Sequence, residues 1–271
     1  MKHQEEKIQE RSIAIDEFGL RVDNVSLRFN GLIALDDVTL VAPRGSITGI
    51  IGPNGAGKSS LLNCINGFYS PSSGDIRWGQ TSLIGHSPHQ LAGMSLARTF
   101  QGLELFKGSS VIDNILLGRH RMYKTGAIRC SVDFGAARRE ENENRARVEE
   151  ILRFFSIASY RNRVVGELSY GIQKIVAIAR AVAMEPELLL LDEPTSGMNR
   201  GEKAEIASII RDLNQESGLT QVLIEHDMKL IRSVCDHVIV LNFGKVIAAG
   251  KPSEVLNDRA VIEAYVGRQA E

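Results

Sequence analysis

The sequence predicts an α/β fold built on a mainly parallel sheet, and three observations carry that prediction. Short apolar, β-branched runs alternate with helical stripes of period 3.6 along much of the chain. The stretch Gly52-Pro53-Asn54-Gly55-Ala56-Gly57-Lys58-Ser59 fits the phosphate-loop pattern G-x-x-x-x-G-K-[ST] and lies between a strand-like and a helix-like run. The apolar run from Leu188 to Leu191 ends in Asp192-Glu193. A strand ending this way delivers both carboxylates to the sheet's C-terminal edge, where ligands sit in open α/β folds.

The elements follow in order. Residues 1–19 form a polar lead-in of mixed charge. They lack the apolar core of a signal peptide, so export is not expected. Residues 20–40 hold short β-rich runs separated by Asn30-Gly31, which predicts an antiparallel pair. Ser46-Ile47-Thr48-Gly49-Ile50-Ile51 reads as a buried strand, and Ser60 to Ile65 as the start of a helix. Ser70-Pro71-Ser72-Ser73-Gly74 is a turn signal. Ile76-Arg77-Trp78 with Gly79-Gln80 reads as a further hairpin, with Trp78 as a packing residue.

From Phe100 to Ser159 the pattern turns largely helical. Val148, Ile151, Leu152 and Phe155 make one apolar stripe. The charge-rich residues 138–147 before it read as a solvated helix face rather than a partner surface. Ile172, Ile175, Val176 and Ala179 mark another amphipathic helix, and Ile206, Ile209, Ile210 and Leu213 one more. Gln221 to Ile224 and His237 to Leu241 are further strands. The helical block at 100–160 reads as an insertion in the sheet domain. There is no internal repeat and no low-complexity tract.

Composition narrows the class. The chain has 271 residues, 43% of them hydrophobic and 24% charged, as in ordinary globular proteins. A net charge of −1 gives no basic field toward nucleic acid. The longest apolar runs are a few residues, against the ~20 that a spanning helix needs. Cys64, Cys130 and Cys235 are scattered, with no metal-ligand spacing and no disulfide framework, as expected in a reducing cytoplasm.

The phosphate loop carries the chemistry. Its glycines permit tight turns, so the backbone N–H groups of Gly52, Pro53's neighbours, Asn54, Gly55, Ala56, Gly57 and Ser60 can converge on phosphate oxygens. The following helix adds about half a positive charge at its N-terminus. Lys58 supplies a compact cation to the β- and γ-phosphates, and Ser59 a hydroxyl to Mg²⁺. Asp192 is suited to help hold Mg²⁺, mostly through water, and Glu193 to orient or deprotonate an attacking water. His226 follows an apolar strand and is placed to hydrogen-bond the γ-phosphate. Gln101 opens the helical block and can reach Mg²⁺ or the water through its carbonyl. The loop alone leaves kinases, GTPases, helicases and transporters open.

The segment Leu168-Ser169-Tyr170-Gly171-Ile172-Gln173 resembles the signature motif of ATP-binding cassette (ABC) ATPases, usually L-S-G-G-Q. With the phosphate loop, Gln101, Asp192-Glu193 and His226, it completes that family's motif order from about residue 20 to 267. The chain is most similar to the ATPase subunits of branched-chain amino-acid importers. Arg98-Thr99-Phe100-Gln101, Leu105-Phe106, Ser196-Gly197-Met198-Asn199, residues 224–229 and Ala264-Tyr265-Val266-Gly267 carry that likeness. So does the extended segment between Gly118 and Arg145. Tyr170 and Ile172 depart from the signature; a tyrosine is common in the importer subfamily, whereas Ile172 removes a polar side chain.

The resemblance implies a phosphate-loop NTPase core of RecA type, an antiparallel β subdomain at its N-terminus and an α-helical signature subdomain at about 100–180. It implies one cassette domain at 20–267, with 268–271 as a tail. Two cassettes would pack head to tail, the partner being the same or a sister chain. ATP on the phosphate loop of one would be covered by Ser169 and Gly171 of the other, with Phe29 the candidate for stacking on adenine or, alternatively, a core strand residue. It further implies transmembrane permease subunits, movement passed to them through the Gln101 region, an indirect periplasmic solute-binding protein, and a peripheral place on the cytoplasmic membrane face. The solute expected is a branched-chain amino acid or a related small polar molecule. A lipid or lipopolysaccharide exporter ATPase is the alternative; a cassette protein acting on nucleic acid or ribosomes ranks lower, because the chain has one cassette and no long heptad run.

Overall fold

The computed structural model describes residues 19–100, 102–122 and 134–266. Its elements are β1 (Leu20–Phe29), β2 (Leu32–Ala42), β3 (Ile47–Ile51), α1 (Lys58–Ile65), β4 (Ser73–Trp78), β5 (Thr81–Ser82), α2 (Pro88–Ala92), β6 (Leu96–Thr99), α3 (Val111–Gly118), α4 (Phe134–Phe154), α5 (Tyr170–Val182), β7 (Leu188–Asp192), α6 (Arg200–Ser217), β8 (Thr220–Ile224), α7 (Met228–Val234), β9 (His237–Asn242), β10 (Lys245–Gly250), α8 (Pro252–Val255) and α9 (Arg259–Val266). The chain divides into two compact units, one formed by Met1–Leu91 with Ile210–Glu271, the other by Ala92–Ile209.

The first unit holds two sheets. One is antiparallel, in the order β2-β1-β4-β5. Asn30 and Gly31 turn β1 into β2 with φ of 42° and 92°, two left-handed residues as a type I′ hairpin requires. Bulges break the β1–β2 register, and at one of them Asn24 donates to Asp37 Oδ1 at 2.9 Å. The expected turn at 70–74 is shorter than read, since Ser73 and Gly74 already belong to β4. Trp78 packs as expected, 7% exposed beneath the Arg44 guanidinium.

The second sheet runs β10-β9-β3-β8. β3 is parallel to both β8 and β9, while β10 is antiparallel to β9. All five residues of β3 and of β8 are buried. Strands covered on both faces read as continuous apolar runs, which is why these were legible. β10 was not anticipated: its side chains alternate between exposed and half-buried, so no apolar run marks it.

In the second unit β6 and β7 are parallel, with Arg98 opposite Leu190 and Thr99 opposite Leu191. β6 also escaped the sequence reading, being four residues long with an arginine inside. α4 buries Val148, Ile151 and Leu152, and Phe155 just beyond it. Its charged side stands in solvent, with Arg145 paired to Glu141 and Arg147 to Glu150. Arg119, 8% exposed, ties this helix down. It donates to Asn144 Oδ1 at 2.6 Å and to Glu185 Oε1 at 2.9 Å.

Candidate active site

In the first unit, β3 runs straight into the phosphate loop. Gly52 has φ of 148°, and a Cβ there would lie 2.1 Å from the Leu241 carbonyl oxygen, so only glycine fits beside β9. The loop is held from behind: Ala56 N donates to Pro53 O at 3.1 Å, and Gly244 N donates to Ala56 O at 2.9 Å. Gly57, at φ 103°, caps α1 without a side-chain hydrogen bond. Among the described residues Gly55, Gly57, Ser59 and Ser60 donate no backbone hydrogen bond. That is the donor set a phosphate needs.

Lys58 is 9% exposed. Its ammonium donates to Gly52 O at 2.7 Å and to Pro53 O at 2.9 Å, so it lies folded along the loop. Ser59 is exposed, and its hydroxyl makes no hydrogen bond among the described residues.

His226 leaves β8 at the same sheet edge at which Gly52 leaves β3, since the two strands are parallel with Ile50 beside Ile224. The buried Glu225 carboxylate accepts from His226 N at 3.0 Å, which sets the backbone there. Asp227 caps α7 by accepting from Lys229 N at 3.0 Å and from Leu230 N at 3.3 Å. The imidazole is exposed. Phe29 is 40% exposed and stands edge-on to Tyr69 with centroids 5.1 Å apart, so it is not a core residue.

Tyr265 lies on α9, within the run Ala264-Tyr265-Val266-Gly267. Its hydroxyl is enclosed near the Gly52 amide without completing a hydrogen bond, and burial pushes its pKa up to about 12.

In the second unit, β7 is buried throughout and ends in Asp192. Asp192 Oδ2 accepts from Arg98 Nη2 at 2.8 Å; the two side chains are only 7% and 6% exposed. Among the described residues Asp192 Oδ1 takes no hydrogen bond. That oxygen, and the Ser59 hydroxyl in the first unit, are hard oxygen donors of the kind Mg²⁺ takes directly or through water, so each fits the ion chemically.

Glu193 follows with φ of 47°, a left-handed backbone that a non-glycine residue adopts only when its surroundings enforce it. One support is Lys174, 3% exposed, whose ammonium reaches the Glu193 carbonyl oxygen at 3.4 Å. Lys174 Nζ also sits 5.7 Å over the Tyr170 ring. Gln101 lies outside the described residues, as do residues 1–18, Cys130 and residues 267–271.

The signature residues surround the start of α5. Ser169 is its N-cap, with the hydroxyl accepting from Ile172 N at 3.4 Å, and it is exposed to solvent. A Cβ on Gly171 would lie 2.6 Å from Glu202 Oε1, so any larger residue there would have to displace that carboxylate. Glu202 in turn accepts from Asn199 N at 2.9 Å, while Asn199 Oδ1 accepts from Glu202 N at 3.1 Å, a reciprocal cap on α6. Arg98 and Lys174 are the side chains that residue-by-residue reading missed. The one available signal was a charged residue within an apolar run.

Residues 35–196 match the ABC transporter family, and residues 245–271 match the family described as branched-chain amino acid ATP-binding cassette transporter. The chain is 39% identical over 248 residues to the high-affinity branched-chain amino acid transport ATP-binding protein LivG of Salmonella typhimurium, covering 92% of this chain and 97% of that one. Among solved structures, the ADP conformation of an ATP-binding cassette of an ABC transporter superposes with a TM-score of 0.80 at 29% identity, covering 92% and 99% of the two chains. A dimeric post-hydrolysis state of an ATP-binding cassette, bound to ADP and Pi, superposes with a TM-score of 0.73 at 26% identity, covering 86% and 98%. The chain belongs to the ABC transporter family of ATP-binding proteins. Among the described residues no helix is long and apolar enough to cross a membrane.

Proposed function

We propose that this protein is the ATPase subunit of an importer for branched-chain amino acids or a related small polar solute. The observation that carries the ATPase reading is the phosphate loop, with the unengaged amides of Gly55 and Gly57 and the Lys58 ammonium held along it at 2.7 Å and 2.9 Å from Gly52 O and Pro53 O. The likeness to LivG over 92% of the chain supports the solute class.

In this reading the amides from Gly52 to Ser60, Pro53 excepted, and Lys58 bind the ATP phosphates, and Phe29 stacks on the adenine. Ser59, Asp192 and Gln101 hold Mg²⁺. When bound, that ion neutralises charge on the β- and γ-phosphate oxygens. Glu193 takes the proton of the attacking water, and His226 donates a hydrogen bond to the γ-phosphate. A second cassette, the same or a sister chain, covers the loop with its own signature residues, matching Ser169 and Gly171. Two ATPs then favour the closed pair, and hydrolysis removes that bias.

The closed pair drives permease subunits from the cytoplasmic membrane face, fed by a periplasmic binding protein. A cavity of about 260 Å³ bordered by Arg98, Thr99, Phe100, Gly102, Leu117 and Arg180 supports a permease contact on that face of the second unit. The test is uptake of labelled leucine, isoleucine and valine by cells lacking the gene, complemented with wild type or with Glu193→Gln. Uptake should return only with wild type; no return with wild type would reject the importer reading, and return with both would reject the base role of Glu193.

A further inference from the structure

The buried ion pair between Arg98 and Asp192 has no part in the roles above. Arg98 lies on β6 and Asp192 ends the neighbouring parallel strand β7. A single guanidinium nitrogen, Nη2, engages Oδ2 at 2.8 Å, with the two side chains 6% and 7% exposed. The guanidinium group also lies over an aromatic ring: Arg98 Cζ is 5.0 Å from the centroid of Phe100, two residues along the chain. The Asp192 carboxylate is thus split in use. One oxygen belongs to Arg98, and the other accepts from no described residue.

Buried charges persist where they are paired, and a charge-assisted hydrogen bond from one guanidinium nitrogen restrains the rotamer of a carboxylate as well as balancing its charge. A carboxylate that must hold a cation through one oxygen gains from having the other clamped, because less freedom is lost on binding. An arginine already spent on Oδ2 also leaves the pair close to neutral, so no uncompensated carboxylate has to wait in a buried strand end.

We propose that Arg98 is a positioning residue for metal–nucleotide binding, holding Asp192 by Oδ2 so that Oδ1 remains available to Mg²⁺ or its water. Through its stacking on Phe100, the same guanidinium links that carboxylate to the segment entering Gln101. The inference rests on the reading of Asp192 as a metal-site residue.

The test is binding of a fluorescent ATP analogue by the full chain, titrated with Mg²⁺ and repeated in EDTA. In wild type the affinity should rise with Mg²⁺. Arg98→Met should raise the Mg²⁺ concentration for half-maximal tightening by about tenfold, the usual scale for losing an outer-shell partner, with affinity in EDTA kept within about twofold. Arg98→Lys, which keeps the charge but not the planar group over Phe100, should fall between. In an Asp192→Asn background, Arg98→Met should shift nothing further. A wild-type Mg²⁺ midpoint in Arg98→Met overturns the inference, as does an equal loss with and without Mg²⁺. Where Arg98→Met does not fold, Arg98→Lys decides: a raised midpoint supports the role and an unchanged one rejects it. Wild-type binding that ignores Mg²⁺ altogether rejects instead the metal reading of Asp192, and the inference with it.

Discussion

The Lys174 ammonium donates to the Glu193 carbonyl oxygen at 3.4 Å, joining the first turns of α5 to the residue after β7. Glu193 holds φ at 47° there. A buried cation on that carbonyl favours a backbone conformation that costs a non-glycine residue roughly 1–3 kcal/mol. Lys174→Met keeps the length and removes the donor. ATPase turnover should fall about tenfold or more, since small misplacements of a reacting group carry penalties of that order. Affinity for nucleotide should stay within about twofold. Unchanged turnover in a folded variant would remove Lys174 from the support of Glu193.

Glu193→Gln exchanges one carboxylate oxygen for an amide and leaves the shape. Hydrolysis should drop by about 10²–10⁴, the range general-base catalysis supplies, while ATP remains bound. Single-turnover measurements on the purified protein separate the two steps. Near-normal turnover would take the base role away from Glu193.

Lys58→Ala removes the ammonium that bridges the Gly52 and Pro53 carbonyls. Nucleotide affinity should weaken by roughly tenfold or more, on the scale of a lost charge-assisted hydrogen bond. Equilibrium titration with an ATP analogue checks this. An unchanged Kd would count against the phosphate-loop assignment. Because the same ammonium braces the loop, a modest fall in Tm is expected as well.

Burial raises the Cys64 thiol from its ordinary 9.0 to about 11, and pushes Cys235 up too, aided by Asp236 and Glu225. The sign of the effect on stability follows. The folded pKa lies above the unfolded one, so the stabilisation is full below pH 9.0 and is lost as pH climbs through about 11. Denaturant midpoints should therefore decline above pH 9.0, and decline less steeply in Cys64→Ala. An identical slope in the two proteins would show that Cys64 stays protonated equally in both states. At neutral pH, alkylation of the native protein should spare both buried cysteines, as peptide mapping would reveal.

Much of the fold was legible because its signals are local. The Asn30-Gly31 hairpin rests on two residues that tolerate positive φ, and both adopt it. The strands β3, β7 and β8 are apolar on both faces and buried throughout. β6 and β10 were not legible, because an arginine interrupts one and solvent touches alternate residues of the other. Phe29 could be read as core or as exposed from sequence; its 40% exposure depends on how β1 ends against Tyr69.

The sequence by itself determined the phosphate loop, the Asp192-Glu193 pair, the order of motifs and hence the family, since each is a contiguous run whose chemistry needs only its neighbours. The tertiary structure alone decided which side chains serve those runs. Arg98 meets Asp192 across 94 positions of sequence, and Lys174 meets Glu193 across 19. Tyr265 comes to lie near Gly52 in the same way. The reason is physical: strand pairing and helix packing choose such partners, and a buried charge declares its partner only once the elements that bury it are in place.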